Sequence, residues 1–192
     1  MLLSMPDRCL QLSLGAGQPV PATVSWRLEA GYLRASSWTD QAEIFTVGIW
    51  GPGESVIPEL LTMQPVELSA LSSVRVSEWL PDQGERHSFS IAHLQQMSML
   101  LQLSRIRPAD VRLFNLLMWL GRRFGDDSPK GVRVPLEEMN LTHRQMAEIV
   151  SMSRVTVTKT LGQFRQQGWL IKEGSSDLLA RSAISSILEA AP

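Results

Sequence analysis

Apolar and polar side chains alternate with a period of two through much of residues 10–80. Clear runs lie at residues 23–28 and 43–50, and glycine- and proline-rich stretches separate them. Runs of this period and length between turn residues predict antiparallel strands. We therefore expect a β-sandwich or barrel in this part of the chain. Trp26, Trp38 and Trp50 are expected to pack in its core or along its edges.

The pattern changes after a polar break at residues 81–87. Apolar side chains then recur every three or four residues, which predicts an amphipathic helix. The apolar stripe consists of Ile91, Leu94, Met97 and Leu101, with Ser104 at its end. Such a stripe can pack on its own domain or against a second copy of the chain. We favour a dimer interface, because leucine and methionine at near-heptad spacing suit a partner helix.

Residues 108–134 predict a second helix, a loop and a short strand. Pro108 ends the first helix and suits the first turn of the next, which extends to Phe124. Residues 125–131 are predicted to be a loop, and residues 132–134 a strand. The second helix is expected to bury Val111, Phe114, Leu117, Met118 and Gly121.

Residues 141–169 predict two short helices joined by a tight turn. Thr142 and Gln145 form a capping box at the start of the first helix. Ser153 can cap a second helix that begins at Arg154. Two short helices with a three-residue connection are typical of a helix-turn-helix. The residues after 169 predict a β-hairpin wing, and residues 182–190 a closing helix.

The start of the second helix has the side chains that a DNA reader needs. A helix fits the major groove, and its N-terminal side chains reach the base edges. The exposed side chains expected there are Arg154, Val155, Thr156, Thr158 and Lys159. Thr142, His143 and Arg144, at the start of the first helix, are placed to meet phosphates.

The distribution of charge supports a nucleic-acid partner for the second half of the chain. Residues 1–104 have five Lys/Arg and ten Asp/Glu, whereas residues 105–172 have twelve and six. The first segment is thus near −5 and the second near +6. This asymmetry predicts two modules, with a polyanion-binding surface on the second.

Composition excludes several other classes of protein. The single cysteine, Cys9, cannot form an internal disulfide or an iron–sulfur centre. His87 and His93 are too sparse for a metal or haem site, and residues 10–80 contain no histidine for a cupin-type metalloenzyme. No phosphate loop or nucleophile motif is present, so we expect neither an enzyme nor a metal site.

Targeting and membrane motifs are also missing from the sequence. No apolar run approaches the ~20 residues that span a bilayer. The first residues lack the basic segment of a signal peptide and include Asp7. A cytoplasmic protein without membrane contact is the expectation.

Residues 135–170 resemble the DNA-binding domain of the cyclic-AMP receptor/fumarate-nitrate regulator (Crp/Fnr) family. Leu141–Gln145 and Arg154–Thr158 are most similar to its cyanobacterial global nitrogen regulators. The similarity continues more weakly upstream, at residues 105–125 and at Gly51–Glu54. The resemblance implies a homodimeric transcription regulator that binds a near-palindromic site in double-stranded DNA and contacts RNA polymerase.

The resemblance also implies an α+β architecture. Residues 1–86 would form an antiparallel β-roll, similar to cupins and cyclic-nucleotide-binding domains. Residues 87–107 would form a long dimerisation helix, and residues 108–192 a winged helix-turn-helix. The first module is expected to be short and to lack the N-terminal helix of the family. Such a module is compatible with a regulator that binds no ligand.

In the family, the residues that match Arg154, Val155 and Lys159 read bases. Ser153, Thr156 and Thr158 then join the residues expected to contact phosphates. Val155 stands where other branches have Glu, which implies a half-site nearer GTA than GTGA. Lys159 replaces the usual Arg, and Ser151 replaces a turn Gly that favours positive φ.

The resemblance leaves the effector open. Family members sense cyclic nucleotides, 2-oxoglutarate, haem or an iron–sulfur cluster. Val66 and Glu67 stand where an arginine would neutralise a cyclic phosphate, and Pro58 replaces a glycine next to that ligand. We therefore expect no cyclic nucleotide and assign no cofactor, although 2-oxoglutarate stays possible. The alternative function is a sensory or protein-interaction module whose winged helix does not read DNA.

Overall fold

The strands of the first half form two antiparallel sheets that face each other. The structure, a computed structural model, describes residues 9–61 and 65–189. Within this part of the chain one sheet has the strand order β1-β7-β2-β5, and the other has the order β4-β3-β6. The strands are β1 (Gln11–Leu14), β2 (Ser25–Ala30), β3 (Leu33–Trp38), β4 (Ile44–Trp50), β5 (Ser55–Val56), β6 (Glu67–Ala70) and β7 (Val74–Trp79), with a 3-10 turn at Pro58–Leu60. The predicted antiparallel β-module is confirmed.

Apolar side chains of both sheets meet in the core of this β-roll. Trp26 is fully buried, and its indole Nε1 donates to the carbonyl of Pro21 at 2.7 Å. Trp50 is also buried, whereas Trp38, opposite Ile44 at the end of β3, is 43% exposed. Two of the three tryptophans therefore fill the core, and the third lies at an edge.

A long helix, α1 (Gln83–Arg105), follows the β-roll. It begins inside the polar stretch 81–87, at Gln83, which is four residues before the helix start predicted at residue 87. Asp82 caps the helix: its side chain accepts from the backbone N–H of Glu85, and the Glu85 carboxylate accepts from that of Asp82, both at 2.8 Å. This Asp-x-x-Glu capping box starts the helix with polar residues, which apolar periodicity cannot detect.

The two faces of α1 differ in what they contact. The face that packs on the β-roll buries Phe89, His93, Gln96, Leu100 and Leu103. On the opposite side Ile91, Leu94 and Leu101 are 47%, 68% and 58% exposed. Met97 is half-buried against the β-roll core. The greater part of the predicted apolar stripe therefore faces away from its own domain.

In its described residues, the second half of the chain combines four helices with a small antiparallel sheet. The sheet has the order β10-β11-β9-β8. The elements are α2 (Ala109–Phe124), β8 (Asp127–Ser128), β9 (Gly131–Val134), α3 (His143–Val150), α4 (Arg154–Gln166), β10 (Leu170–Glu173), β11 (Ser176–Ala180) and α5 (Arg181–Glu189). The predicted loop at 125–131 contains the short strand β8, and residue 190 of the predicted closing helix lies outside the described residues.

Helix α2 lies unusually close to β9. A Cβ atom on Gly121 would lie 2.5 Å from Cγ1 of Val132 and 2.9 Å from the carbonyl oxygen of Arg133. Glycine at this position therefore lets the helix approach the sheet. Among the described helices, none combines the length and apolar character needed to cross a membrane.

The two halves share one core. Tyr32, Ile49 and Leu71 of the β-roll belong to the same buried apolar cluster as the side chains of α1 to α4. The rings of Tyr32 and Phe124 meet edge to face, with centroids 5.4 Å apart. This contact surface holds the second half at a defined orientation to the β-roll.

Candidate nucleic-acid interface

Helices α3 and α4 form the helix-turn-helix that the sequence predicts. Thr142 and Gln145 make the predicted capping box, and the Ser153 hydroxyl accepts from the backbone N–H of Thr156 at 3.1 Å. Ser151 ends α3 in the left-handed region, with φ of 52° and ψ of 54°. The position where a glycine was expected thus does adopt the conformation that glycine prefers.

Buried side chains fix the angle between the two helices. The inward face of α4 consists of Val157, Thr160, Leu161 and Phe164. The facing residues of α3 are Met146, Ala147, Ile149 and Val150. Phe164 also meets Phe114 of α2 edge to face, with ring centroids 6.2 Å apart. The orientation of α4 is therefore set by the core, and its other face is left to solvent.

The exposed face at the start of α4 combines cations with an apolar side chain. Arg154, Val155, Thr158 and Lys159 border one shallow recess. Val155 is 76% exposed. Within the described residues, the cationic groups of Arg154 and Lys159 have no ion-pair or hydrogen-bond partner. This face therefore offers two unneutralised positive charges beside an apolar contact.

His143 joins the start of α3 to this face. The Thr158 hydroxyl donates to the carbonyl of Arg154 at 3.0 Å and lies 2.9 Å from Nδ1 of His143. The imidazole of His143 and this hydroxyl can therefore share a hydrogen bond that links the start of α3 to α4. Burial lowers the pKa of His143, and the nearby cations Arg165 and Arg154 lower it further.

The remaining predicted phosphate contacts surround the N-termini of the two helices. The hydroxyls of Ser153 and Thr156 lie 2.8 Å apart, and Thr142 caps α3. Arg144 has an exposed side chain whose Nε lies 3.0 Å from an oxygen of Glu148, one turn along α3. These side chains therefore collect where the free backbone N–H groups of both helices favour an anion.

The wing contributes less free charge than α4. Lys172 on β10 lies 2.7 Å from Glu137 and 3.7 Å from the buried carboxylate of Asp177. The hydrogen bond to Glu137 raises the pKa of Lys172. The ammonium group of Lys172 is thus already paired with carboxylates of the protein itself.

Sequence reasoning missed the arginine that supports the turn. Arg112 on α2 donates through Nη1 to the carbonyls of Val150 and Ser151, at 2.9 and 3.1 Å. Its Nε donates to the carbonyl of Ile106, between α1 and α2, at 2.6 Å. The sequence clue was a single charged side chain in the apolar stretch of α2, which does not identify its partners.

Comparisons with known proteins agree with this geometry. A model of the Crp-like helix-turn-helix domain matches residues 111–184. Regulatory protein CysR of Synechococcus elongatus is 35% identical over 150 residues, which cover 78% of this chain and 73% of CysR. The chain belongs to the Crp/Fnr family of transcription regulators. It is thus a regulator with a DNA-binding helix-turn-helix, as predicted, and its relatives are regulators rather than enzymes.

Other Crp/Fnr proteins are similar over different parts of the chain. The global nitrogen regulator of Synechocystis sp. is 33% identical over 109 residues, 53% of this chain and 46% of its own length. FixK2 from Bradyrhizobium japonicum has the same fold, with a TM-score of 0.74 at 14% identity, over 94% of this chain and 96% of FixK2. The predicted α+β architecture of β-roll, helices and helix-turn-helix is confirmed.

A cavity of about 620 Å³ lies between the β-roll of this Crp/Fnr protein and α1. Both arginines that border it already have carboxylate partners: Arg27 lies 3.0 Å from Glu85, and Arg123 lies 2.9 Å from Glu54. Glu67, which stands where a cyclic nucleotide would need an arginine, is exposed at the start of β6. An anionic ligand would have to compete with these ion pairs.

Proposed function

We propose that the chain acts as a homodimer that reads a near-palindromic DNA site with α4. The observation that supports this most directly is the exposed start of α4, where two unpaired cations flank Val155. A cationic helix end with free side chains fits the major groove, where phosphates surround the base edges.

Each side chain of this face has a role that follows from its chemistry. Arg154 would pair bidentately with a guanine, and Val155 would touch a thymine methyl. Lys159 would bind a second acceptor as a point charge, without the planar fork of arginine. We therefore propose a half-site closer to GTA than to GTGA.

Phosphates on either side of the groove would be bound from both helix N-termini. The proposed contacts are Thr142, His143, Arg144, Ser153, Thr156 and Thr158. Thr142 and Ser153 cap the two helices, and the other four follow them within the first turns of α3 and α4. These contacts would fix the register of α4 without reading sequence.

The homodimer would form along α1. Ile91, Leu94 and Leu101 are exposed on one side of this helix, and Met97 lies beside them. A second copy would cover these side chains and place two α4 helices in successive major grooves, about 34 Å apart. Such a regulator would work in the cytoplasm, beside its DNA, and RNA polymerase is its expected protein partner.

Selection of binding sites from a random duplex library, with the purified ligand-free protein, tests the proposal. We expect an inverted repeat with GTA-like half-sites, and an affinity that falls steeply as salt rises. The variant Arg154→Ala/Lys159→Ala should recover no such repeat. If the unaltered protein recovers none either, and a second selection with 2-oxoglutarate also fails, the winged helix serves a protein partner instead.

A further inference from the structure

One arginine of the β-roll is buried against the helix-turn-helix. Arg34 on β3 is only 4% exposed, although its guanidinium is charged. Its Nε donates to the hydroxyl of Thr46 at 2.9 Å, and its Nη1 lies 2.7 Å from Oε2 of Glu148 on α3. The pair joins residues that are 114 positions apart in the sequence. A buried charge of this kind needs its partner, since an unpaired ion is costly to desolvate.

The partner carboxylate has a second cation. Glu148 accepts from Arg34 through Oε2 and from Nε of Arg144 through Oε1, at 3.0 Å. The side chain of Glu148 is 17% exposed, whereas that of Arg144 is 74% exposed. One carboxylate therefore connects a fixed, buried guanidinium to a guanidinium at the proposed phosphate-binding surface.

The connection restricts how Arg144 can point. With Oε2 held by Arg34, Glu148 is held in place and directs Oε1 to Arg144. Arg144 then loses less conformational entropy when a phosphate binds its remaining N–H groups, because its stem is already ordered. Without Arg34, the carboxylate is free to turn both oxygens toward Arg144, which would neutralise it more fully and compete with phosphate.

We infer that Arg34 is a positioning residue for DNA binding that acts through Glu148 on Arg144. The inference rests on the proposed function, in which Arg144 contacts a phosphate. It makes the β-roll part of the DNA-binding apparatus, although the β-roll residue itself does not touch DNA.

The test is a double-variant comparison on the selected DNA site. Arg144→Met should lower the affinity and reduce the dependence of log K on log salt by about one per subunit. Arg34→Met should lower the affinity by roughly 3- to 30-fold and reduce the same slope. In the Arg144→Met background, Arg34→Met should have little further effect. Arg34→Lys, which keeps the charge beside Glu148, should recover much of the affinity.

Two variants guard against a trivial loss of folding. Thr46→Val removes the acceptor for Nε of Arg34 while preserving side-chain shape, and should change affinity in the same direction by less. Arg75→Met is the matched control, because Arg75 lies on the other sheet in an exposed ion pair with Glu29. The fraction of active protein is measured by stoichiometric titration with DNA.

The outcomes separate the inference from the proposed function. If Arg144→Met weakens binding but Arg34→Met and Thr46→Val do not, the inference is wrong and the phosphate contact stands. An effect of Arg34→Met that is equally large in the Arg144→Met background also overturns it, because Arg34 would then act on the fold. If Arg144→Met changes neither affinity nor slope, the phosphate contact fails and the inference fails with it.

Discussion

Helices α1 and α4 both present an uncovered face, but the two faces have opposite chemistry. The face of α4 is polar and cationic around Arg154 and Lys159, and the face of α1 is apolar around Leu94 and Leu101. Exposed cations are well hydrated, so leaving them in water costs little free energy when no polyanion is bound. Exposed leucines gain about 25 cal/mol for each Å² removed from water, so they suit a stable protein partner.

On the inward faces of the two helices the difference is reversed, because α1 buries larger polar side chains than α4. Helix α4 buries three apolar side chains, Val157, Leu161 and Phe164, together with the short hydroxyl side chain of Thr160. Helix α1 buries two larger polar side chains, His93 and Gln96, beside its apolar ones, and Gln96 accepts from the backbone N–H of Ile49 at 2.5 Å. A helix that buries polar groups while exposing leucines is typical of one with partners on two sides.

The largest expected effect comes from placing charge on the uncovered face of α1. Leu94→Glu/Leu101→Glu should give monomers in sedimentation, since four carboxylates would meet in the proposed dimer. DNA binding should weaken by on the order of 100-fold or more, because the two half-sites would then be bound independently.

The matched control for this variant is Leu10→Glu, an exposed leucine before β1 that is 45% exposed. It should leave both the mass and the affinity unchanged. A Leu94→Glu/Leu101→Glu protein that still sediments as a dimer would show that the subunits meet elsewhere. The exposed leucines of α1 would then not form a dimer interface.

A smaller effect is expected from the uncovered face of α4. Arg154→Ala should cost about 1–3 kcal/mol at the selected site and relax discrimination at one guanine. Competition binding with single-base variants of the site measures both quantities. Arg122→Ala, which removes an exposed cation from α2, is the control and should change affinity little.

The two variants together sharpen the comparison. Arg154→Ala should leave the dimer intact, and Leu94→Glu/Leu101→Glu should leave the base preference of each half-site intact. Equal losses for Arg154→Ala on all DNA sequences would refute a base-reading role and leave α4 as a phosphate-binding element only.

The helix-turn-helix could be predicted from the sequence because its determinants are local. Thr142 and Gln145 are three residues apart, and Ser153 caps a helix that starts at the next residue. Hydrogen bonds of this range depend on the sequence within one turn of helix. The left-handed conformation of Ser151 was anticipated in another way, from the glycine that the family has at this position.

The supporting contacts could not be predicted, because they join distant parts of the chain. Arg34 meets Glu148 across 114 positions, and Arg112 reaches the carbonyl of Val150 across 38. No periodicity relates such residues. The start of α1 was missed for a different reason. Its capping box lies in an exposed polar turn, which has no apolar side chains to show a helical period.

The backbone conformation of the turn before α4 differs from that of the turn after α1. A single substitution tests how much the left-handed turn before α4 costs in stability. Helix α3 ends before α4 in the left-handed Ser151, whereas α1 ends in Ile106 with extended backbone at φ −66°. Ser151→Gly should raise the free energy of unfolding by about 0.5–1 kcal/mol, since glycine adopts positive φ without steric cost.

Urea denaturation measures the change in the free energy of unfolding. Ser153→Ala is the companion variant, for which a decrease is expected. Ser153 caps α4 from an extended conformation at φ −75°, so its replacement should lower stability by about 1 kcal/mol. A Ser151→Gly variant that is less stable than the parent would mean that the serine side chain contributes more than the strain costs.

The smallest expected effect concerns pH and the histidine beside α4. Burial, Arg165 and Arg154 lower the pKa of His143 below its ordinary value of 6.5. Above that pH both the folded and the unfolded chain are neutral at this residue. As pH falls below 6.5 the unfolded chain takes up the proton first, so the free energy of unfolding declines. His143→Gln should make this decline shallower, and His93, whose pKa burial also lowers, contributes to the decline in the same direction.

DNA binding should respond to pH in the opposite direction. A phosphate beside the imidazole of His143 would favour its charged form and offset the influence of Arg154 and Arg165. Binding would then take up a proton, and affinity should rise as pH falls from about 7.5 to about 6. In His143→Gln this rise in affinity should be weaker. The pH dependence of dimerisation through α1 should be the same as in the unaltered protein. A wild-type affinity that is flat over this range would remove His143 from the phosphate contacts and confine the interface to the cations and hydroxyls around α4.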